Sequence, residues 1–156
     1  MSGIFFHGYA MNAVDAKNRL SVPATYREAI EARSHQRAIV VAPHETAPCL
    51  IGYDPAHSST LATQLEARFA GDYGAARDAA ARMAFGATEL LPYDDNGRVV
   101  LSPMLKELGE IDRLVFFLAL GAHFEIWNPD ILLAQKSLDA RLERIVRRLL
   151  ETRGSK

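Results

Sequence analysis

The residues best suited to chemistry are two arginines, each of which follows an aspartate by four positions. One pair lies in the run Asp15-Ala-Lys-Asn-Arg-Leu-Ser-Val-Pro23 and the other in Asp94-Asp-Asn-Gly-Arg-Val-Val-Leu-Ser-Pro103. An arginine fork binds a phosphate, or the edge of a guanine, through two parallel hydrogen bonds. The spacing leaves two hypotheses open. Either each aspartate pairs with its arginine and only fixes a loop, or the aspartate shapes the loop while the arginine projects to a nucleic acid.

The residues between each aspartate and its arginine predict a tight turn. Asn18 and Gly97 directly precede the arginines, and both residue types accept the positive φ that closes such a turn. Lys17 adds a positive charge to the first turn, whereas the second turn carries Asp95 and Asn96. We therefore expect the second loop to bind phosphate less strongly than the first.

The flanking sequence predicts the elements that would position these turns. Apolar runs on both sides of each turn indicate strands, and the proline that follows suits the first turn of a helix. Strands are predicted over residues 4–14, 19–22, 38–42, 48–53, 87–93, 98–101, 114–120 and 124–127, and helices over 23–32, 56–70, 75–84 and 103–108.

Two further signals predict where other helices begin. Asp54-Pro55 and Asn128-Pro129 each combine a capping side chain with a proline at the first helical position. The tail from Ile131 predicts one long amphipathic helix. Its polar face carries a row of arginines that either is solvated or binds a partner: Arg141, Arg144, Arg147 and Arg148.

The second half of the chain repeats the plan of the first. The two motif arginines are 79 residues apart, and the aromatic residues Tyr53 and Trp127, which close the last predicted strand of each half, are 74 apart. The first copy therefore carries five more residues, which we assign to its loops because loops tolerate insertion better than strands do.

Composition restricts the classes of function. With 156 residues and a net charge of −1, the chain has single-domain size and lacks the overall positive field of many nucleic-acid binders. The lone Cys49 predicts a reducing compartment, and no apolar run approaches the ~20 residues that span a bilayer. The five histidines have no metal-binding spacing, and no phosphate loop or nucleophile elbow is present. We expect a cytoplasmic protein that is not an enzyme and has no metal, cofactor or small-molecule substrate.

Four segments together resemble the MraZ family. They are Phe6-His-Gly, the first aspartate run followed by Tyr26-Arg-Glu, the second Asp94-x-x-Gly-Arg, and Phe124-Glu-Ile-Trp127, and the resemblance extends in order from Phe5 to Trp127. It implies an α+β fold of two interlocked AbrB-like repeats, a double-split β-barrel with a pseudo-twofold axis. The expected domains are residues 5–54 and 85–130 for the repeats, 55–84 for a helical connector, and 131–156 for the C-terminal helix and tail.

The resemblance also implies a function and a set of residues. It implies a nucleoid-associated transcriptional repressor of the bacterial division and cell-wall gene cluster. The protein would bind direct repeats in double-stranded promoter DNA as a ring-shaped homo-oligomer, away from membranes. The alternative is an AbrB-like protein-interaction or antitoxin-type module. The DNA-binding residues carried over are Arg19, Lys17, Asn18, Arg98 and Asn96, and the motif carboxylates are Asp15 and Asp94.

Assembly would reconcile DNA binding with a near-neutral charge. One loop with a lysine and an arginine neutralises few phosphates, and each phosphate contact adds only about one unit to the salt dependence of binding. A ring raises the effective concentration of further loops after the first has bound. The sequence therefore predicts weak individual loops that act together.

Overall fold

Strands and helices follow one another in the same order in the two halves of the chain. The computed structural model describes residues 4–154. The strands are β1 (Tyr9–Ala13), β2 (Arg19–Ser21), β3 (Ala38–Pro43), β4 (Leu50–Tyr53), β5 (Glu89–Pro92), β6 (Arg98–Val100), β7 (Leu114–Ala119) and β8 (Phe124–Trp127). The helices are α1 (Ala24–Ser34), α2 (His57–Phe69), α3 (Ala75–Ala81), α4 (Pro103–Leu108), α5 (Pro129–Leu133) and α6 (Ala140–Gly154), and a π-helical turn, Arg82–Gly86, follows α3.

The two halves exchange strands. Six antiparallel strands form one sheet in the order β1-β7-β8-β4-β3-β5, and β2 pairs with β6 in a separate two-stranded ribbon. The first strand of each half therefore pairs with the third strand of the other half, and the fourth strands meet at the centre of the sheet. The predicted α+β class is confirmed.

The main core fixes the ribbon to the sheet. Leu20 of β2 and Val99 of β6 are fully buried and belong to the same apolar cluster as Phe117 and Phe124 of the sheet. Tyr26 of α1 lies at the centre, with its ring 4.8 Å from that of Phe124. Burial of side chains of this size contributes about 1.5–3 kcal/mol each, so the ribbon is held firmly by its inner face.

A second core lies on the other face of the sheet. Met11, Phe116 and Trp127 from three strands pack against Val146 of α6, whose side chain is fully buried. Helix α6 therefore covers the part of the sheet formed by β1, β7 and β8.

The prediction of one helix from Ile131 is wrong. Helix α5 ends at Leu133, and α6 begins only at Ala140. Asp139 separates them because its carboxylate accepts a hydrogen bond from the backbone N–H of Arg141 at 2.8 Å, while its carbonyl accepts one from Glu143 at 3.0 Å. These are the contacts of a residue that caps a new helix.

One of the two predicted Xaa-Pro helix starts is confirmed and the other is wrong. The Asn128 side chain accepts a hydrogen bond from the Asp130 N–H at 2.9 Å, as a cap does. Asp54 does not cap α2, which begins at His57, because its buried carboxylate is engaged by Arg33 and Ser34 of α1. A side chain committed to another helix is not free to cap its own.

Candidate nucleic-acid interface

The first loop is built around the carboxylate of Asp15. Its Oδ1 accepts hydrogen bonds from the backbone N–H groups of Lys17 at 2.9 Å and Arg19 at 2.8 Å. The Asn18 N–H donates to the Asp15 carbonyl at 2.9 Å, and Asn18 has the positive φ, 62°, that the turn requires. The tight turn that the residue types predicted is therefore present in the folded loop, with Asp15 as its hydrogen-bond acceptor and Asn18 at positive φ.

The second loop has the same hydrogen bonds. Asp94 Oδ1 accepts from the N–H groups of Asn96 at 2.9 Å and Arg98 at 3.0 Å. The Gly97 N–H donates to the Asp94 carbonyl at 2.9 Å, and its φ is 77°. The second copy has four residues between Arg98 and Pro103, one more than the first copy has between Arg19 and Pro23, and this difference does not change the turn itself.

Each motif arginine is paired through one nitrogen and open at the other two. Arg19 Nε lies 2.7 Å from Asp15 Oδ2, and Arg98 Nε lies 3.1 Å from Asp94 Oδ2. The two arginine side chains are 31% and 29% exposed, and within residues 4–154 no group accepts a hydrogen bond from their terminal nitrogens. The pair therefore fixes the loop, and the two terminal nitrogens of each guanidinium remain open, so contact with a nucleic acid stays a prediction.

The motif carboxylates remain ionised at neutral pH. The backbone N–H of Arg19, helped by the Arg19 side chain and the Lys17 N–H, lowers the pKa of Asp15. The backbone N–H of Arg98 is likewise the main cause of the lowered pKa of Asp94. Each carboxylate therefore stays negatively charged and hydrogen-bonded to the arginine Nε.

The ribbon places both arginines on one face. In its antiparallel register Arg19 lies opposite Val100, and Ser21 lies opposite Arg98. Side chains of directly opposed residues, and of residues two apart on a strand, point to the same side of a sheet. These four side chains form the ribbon's outer face, and Val100 on it is 58% exposed although it is apolar.

Each half supports the loop of the other half with a cation. Lys106 of α4 donates from Nζ to Asn18 Oδ1 at 3.0 Å. Arg27 of α1 packs over the second loop so closely that a Cβ at Gly97 would lie 2.5 Å from its Cζ. The backbone N–H groups of Leu101 and Val22 donate to the carbonyls of Asn18 and Gly97, at 2.8 and 2.9 Å.

Sequence reasoning missed Arg27 and Lys106, although a signal was present. They are 79 residues apart, the same offset as that of the motif arginines, so alignment of the halves places a cation at the same point of each. Their contacts with the opposite half could not be found from the sequence, because they depend on how the halves interleave.

Two further arginines stand beside the loops. Arg37 Nη1 lies 3.0 Å from Asp95 Oδ1, and its Nη2 donates to the Asp94 carbonyl at 3.1 Å. Arg113 occupies the corresponding place before β7; its carbonyl accepts from the Val14 N–H at 2.7 Å, and its side chain is exposed. The negative charge of Asp95, which was expected to weaken the second loop, is thus offset by Arg37.

A buried polar cluster elsewhere is structural. Arg33 Nε lies 3.0 Å from Asp54 Oδ1, without hydrogen-bond alignment, and Ser34 donates to Asp54 Oδ2 at 2.5 Å. Burial is the main cause that lowers the pKa of His57, with a smaller effect of the same sign from Arg33 and an opposing one from Asp54. The cluster joins α1 to the start of α2.

His123 extends this cluster towards the end of the sheet. Its ring lies 6.5 Å from that of His57. Burial lowers the pKa of His123 most, Glu125 opposes that shift, and His44 adds to it. Burial also raises the pKa of the Cys49 thiol to about 12, so little reactive thiolate forms at neutral pH.

Metal-binding clusters and membrane-spanning helices are both absent from the part of the chain that the structure describes. Among residues 4–154, no three or more His, Cys, Asp or Glu side chains are grouped so that they could bind a metal. Over the same residues, every helix is too short or too polar to cross a membrane.

These features define an α+β protein of two interleaved halves that presents a matched pair of arginine loops. Comparison with models of known protein families gives no match. Among curated proteins, the chain is 36% identical over 128 residues to the transcriptional regulator MraZ of Azorhizobium caulinodans, which covers 81% of this chain and 78% of that protein. It is 32% identical over 125 residues to that of Saccharophagus degradans (80% and 83%) and 31% identical over 136 residues to that of Methylobacillus flagellatus (83% and 85%).

The chain therefore belongs to the MraZ family of transcriptional regulators, and the resemblance inferred from its motifs is confirmed. These relatives are named as regulators, a class of protein that is generally not enzymatic.

Proposed function

We propose that this protein regulates transcription by binding double-stranded DNA through its two Asp-x-x-x-Arg loops. The proposal rests on the geometry of Arg19 and Arg98. An aspartate orients each guanidinium through its Nε, and both terminal nitrogens are open. A planar pair of donors of this kind suits phosphate oxygens and the O6 and N7 atoms of guanine. Lys17, Asn18 and Asn96 complete the two loops.

The family supplies the finer part of the proposal. We infer that the interleaved halves are AbrB-like repeats of a double-split β-barrel, and that the protein assembles as a ring-shaped homo-oligomer. In the cytoplasm, at the nucleoid, it would repress the division and cell-wall gene cluster by binding direct repeats in the promoter. No cofactor or catalytic step is needed for this role.

Binding to a promoter fragment with spaced repeats tests the proposal. Fluorescence anisotropy should give high affinity for wild-type protein, and Arg19→Ala should weaken it by about 5- to 150-fold per lost guanine contact. The matched control is Arg68→Ala, because Arg68 is an exposed arginine of α2 paired with Glu45 at 2.9 Å. This control should stay within about twofold of wild type. Undiminished binding by Arg19→Ala would exclude the proposed role of that residue.

A protein-interaction module is the second candidate, favoured by one feature of α6. Arg144 and Arg148 lie one turn apart beside the half-exposed ring of Tyr9, and within residues 4–154 neither guanidinium has a partner. Salt separates the two functions. Phosphate binding weakens steeply as salt rises from 50 to 200 mM, whereas an apolar protein interface changes little.

A further inference from the structure

The helices that follow the fourth strand of each half differ in how closely they cover the sheet. In the second half, α6 packs its fully buried Val146 against β1, β7 and β8. In the first half the covering layer consists of α2, α3 and the π-helical turn, and in these fully described segments the one buried residue is His57, at the start of α2. Leu61 and Leu65 of α2 are only half-buried. The first half therefore leaves space between its helices and strands β3 and β4.

A cavity of about 230 Å³ occupies this space. Its apolar lining includes Ile51 of β4, Leu61 and Leu65 of α2, and Met83 of the π-helical turn. An apolar cavity of about 150 Å³ is large enough to bind benzene, so this one has room for a small apolar molecule. Met83 gives it a flexible and polarisable wall that adapts to different shapes.

Tyr53 lines this cavity and has an unsatisfied hydroxyl group. The residue is 1% exposed, yet within residues 4–154 its hydroxyl has no hydrogen-bond partner. Tyr26 is equally buried, and its hydroxyl donates to the Gly8 carbonyl at 2.8 Å. Buried tyrosine hydroxyls normally have such a partner, because an unpaired polar group is costly to bury. Burial raises the pKa of Tyr53, so the hydroxyl stays protonated and able to donate to a ligand.

The guanidinium of Arg68 is a second polar group that lines the cavity. Its Nη1 lies 2.9 Å from Glu45 Oε1, and the two side chains are 54% and 52% exposed. No acceptor for its Nε or Nη2 is found in the part of the chain that the structure describes. An exposed ion pair of this kind is weak, and the free edge of the guanidinium matches both oxygens of a carboxylate. Arg68 can therefore bind a carboxylate while its Nη1 remains paired with Glu45.

Tyr53 and Arg68 lie at opposite ends of the cavity. Tyr53 ends β4, and its ring lies 5.3 Å from that of His57 at the start of α2. Arg68 lies in the last turn of α2 and pairs with Glu45, in the loop that joins β3 to β4. Strand β4 runs from that loop to Tyr53, and its four residues span about 10 Å. The cavity is thus elongated, apolar in its middle and polar at both ends.

We propose that this cavity binds an elongated amphipathic carboxylic acid, a medium-chain acyl acid with a neutral oxygen at its far end. The carboxylate lies on the Nε and Nη2 edge of Arg68, the chain runs past Leu61 and Leu65, and the far oxygen accepts from the Tyr53 hydroxyl. The inference goes beyond the proposed function and does not depend on it, because the cavity and the main core that holds the ribbon lie on opposite faces of the sheet.

Calorimetric titration of the full-length protein with octanoate and with its omega-hydroxy derivative tests the class of ligand. Octanoate should bind saturably, and the omega-hydroxy acid should bind about 2- to 10-fold more tightly because it adds one hydrogen bond to Tyr53. Octanol, which has the same chain without the charge, should bind up to about fivefold more weakly than octanoate. Absence of saturable binding by both acids overturns the proposal.

Ala80→Leu tests the location, because Ala80 of α3 lines the cavity and a leucine there would occupy part of it. The affinity for octanoate should fall by about tenfold or more. The matched control is Ala79→Leu, which places the same side chain at an exposed position of α3 outside the cavity. This control should stay within about twofold of wild type. Equal affinities of the two variants would place the ligand elsewhere and overturn the proposed site.

Substitution of the two polar groups tests the orientation of the ligand. Arg68→Gln should weaken octanoate by up to about fivefold and leave octanol unchanged. Its control is Arg82→Gln, at an exposed arginine of the π-helical turn, which should change neither. Tyr53→Phe should abolish the advantage of the omega-hydroxy acid over octanoate while octanoate itself still binds. If both preferences persist in these variants, the assignment of the two ends is overturned.

A second copy of the chain is the alternative occupant of this space. In that case sedimentation would show a lower native mass for Ala80→Leu than for Ala79→Leu, and wild type would bind neither acid. That pair of results overturns the ligand site in favour of a contact between copies. Saturable binding of octanoate by a protein that fails to bind promoter DNA would leave this inference standing and exclude the proposed function alone.

Discussion

The two oxygens of each motif carboxylate, Asp15 and Asp94, have different roles. In each carboxylate one oxygen accepts two backbone N–H groups and fixes the turn, and the other holds the arginine Nε. An arginine held in this way has less side-chain freedom to lose when it binds. The same carboxylate reduces the net charge of the loop, so under the proposed function each loop would be selective rather than strongly attractive, and affinity would depend on several loops acting together.

Two histidines, the buried His57 and the half-buried His123, make the stability of the protein sensitive to acid. The pKa values of His57 and His123 are lowered in the folded state, whereas an unfolded histidine titrates near 6.5. Below that pH the unfolded chain takes up protons that the folded chain does not, so the free energy of unfolding falls as the pH falls. Above it both states are neutral at these positions, and no loss occurs. Urea unfolding should show lower stability at pH 5.5 than at pH 7.5.

Substitution of the histidines tests the cause of this effect. In the double variant His57→Gln and His123→Gln, the difference between the free energies of unfolding at pH 5.5 and pH 7.5 should be smaller than in wild type. This holds whether the variant is more or less stable than wild type. His7→Gln, which changes an exposed histidine, should leave the difference as it is in wild type. Equal wild-type stability at pH 5.5 and 7.5 would contradict the assignment.

At this scale, sequence predicted what depends on near neighbours. Asn18 and Gly97 predicted the turns because positive φ is a property of single residues, and both have it. The partners of Arg37 and Lys106 lie 57 or more positions away in sequence, which no local pattern encodes. Identification of a full set of cations around the loops therefore required the fold.

Among the elements, α6 is held mainly by the packing of its apolar stripe against the sheet. Val146 is fully buried against the second core, and Ile145 and Leu149 pack beside it. A main-chain contact comes from Arg153, which donates to the Met11 carbonyl at 2.5 Å on an edge strand. The stability of this region should thus depend on packing at the helix centre.

Val146→Ala measures that dependence. Removal of the two buried methyl groups should lower the free energy of unfolding by about 2 kcal/mol, from lost burial plus a residual cavity. Glu151→Ala, an exposed site on the same helix, should change it by no more than about 0.5 kcal/mol. Equal effects of the two variants in urea unfolding would show that α6 is not packed as described.

Sequence reasoning about elements succeeded where caps are local and failed where side chains have distant partners. Ser102, which precedes Pro103 as Asp54 precedes Pro55, caps α4 by accepting from the Leu105 N–H at 3.1 Å. Asp54 carries the same kind of signal, but its partners Arg33 and Ser34 lie on α1, about 20 residues earlier. The start of a new helix at Asp139 was missed because apolar periodicity continues across the break.

For the whole molecule, the central property is that neither half contains a complete sheet. The repeat in the sequence predicted two related halves, because the motif arginines recur at an offset of 79 residues and the closing aromatic residues at 74. It did not determine which strands pair, since every strand has a similar apolar pattern and register is set by contacts between halves. All strand pairs except β3–β4 and β7–β8 join one half to the other.

Cutting the chain between its halves should therefore leave it assembled. A protease site inserted at the exposed Asp72, between α2 and α3, would separate β1–β4 from β5–β8. The two fragments should elute together on gel filtration and separate only in denaturant, because the strand pairs β1–β7, β2–β6, β3–β5 and β4–β8 join one fragment to the other. The control is the uncut protein with the same inserted site, which should elute at the same volume as the cut protein before denaturant is added. If the Asp72 cut separates the fragments without denaturant, the interleaving of the halves does not hold the molecule together.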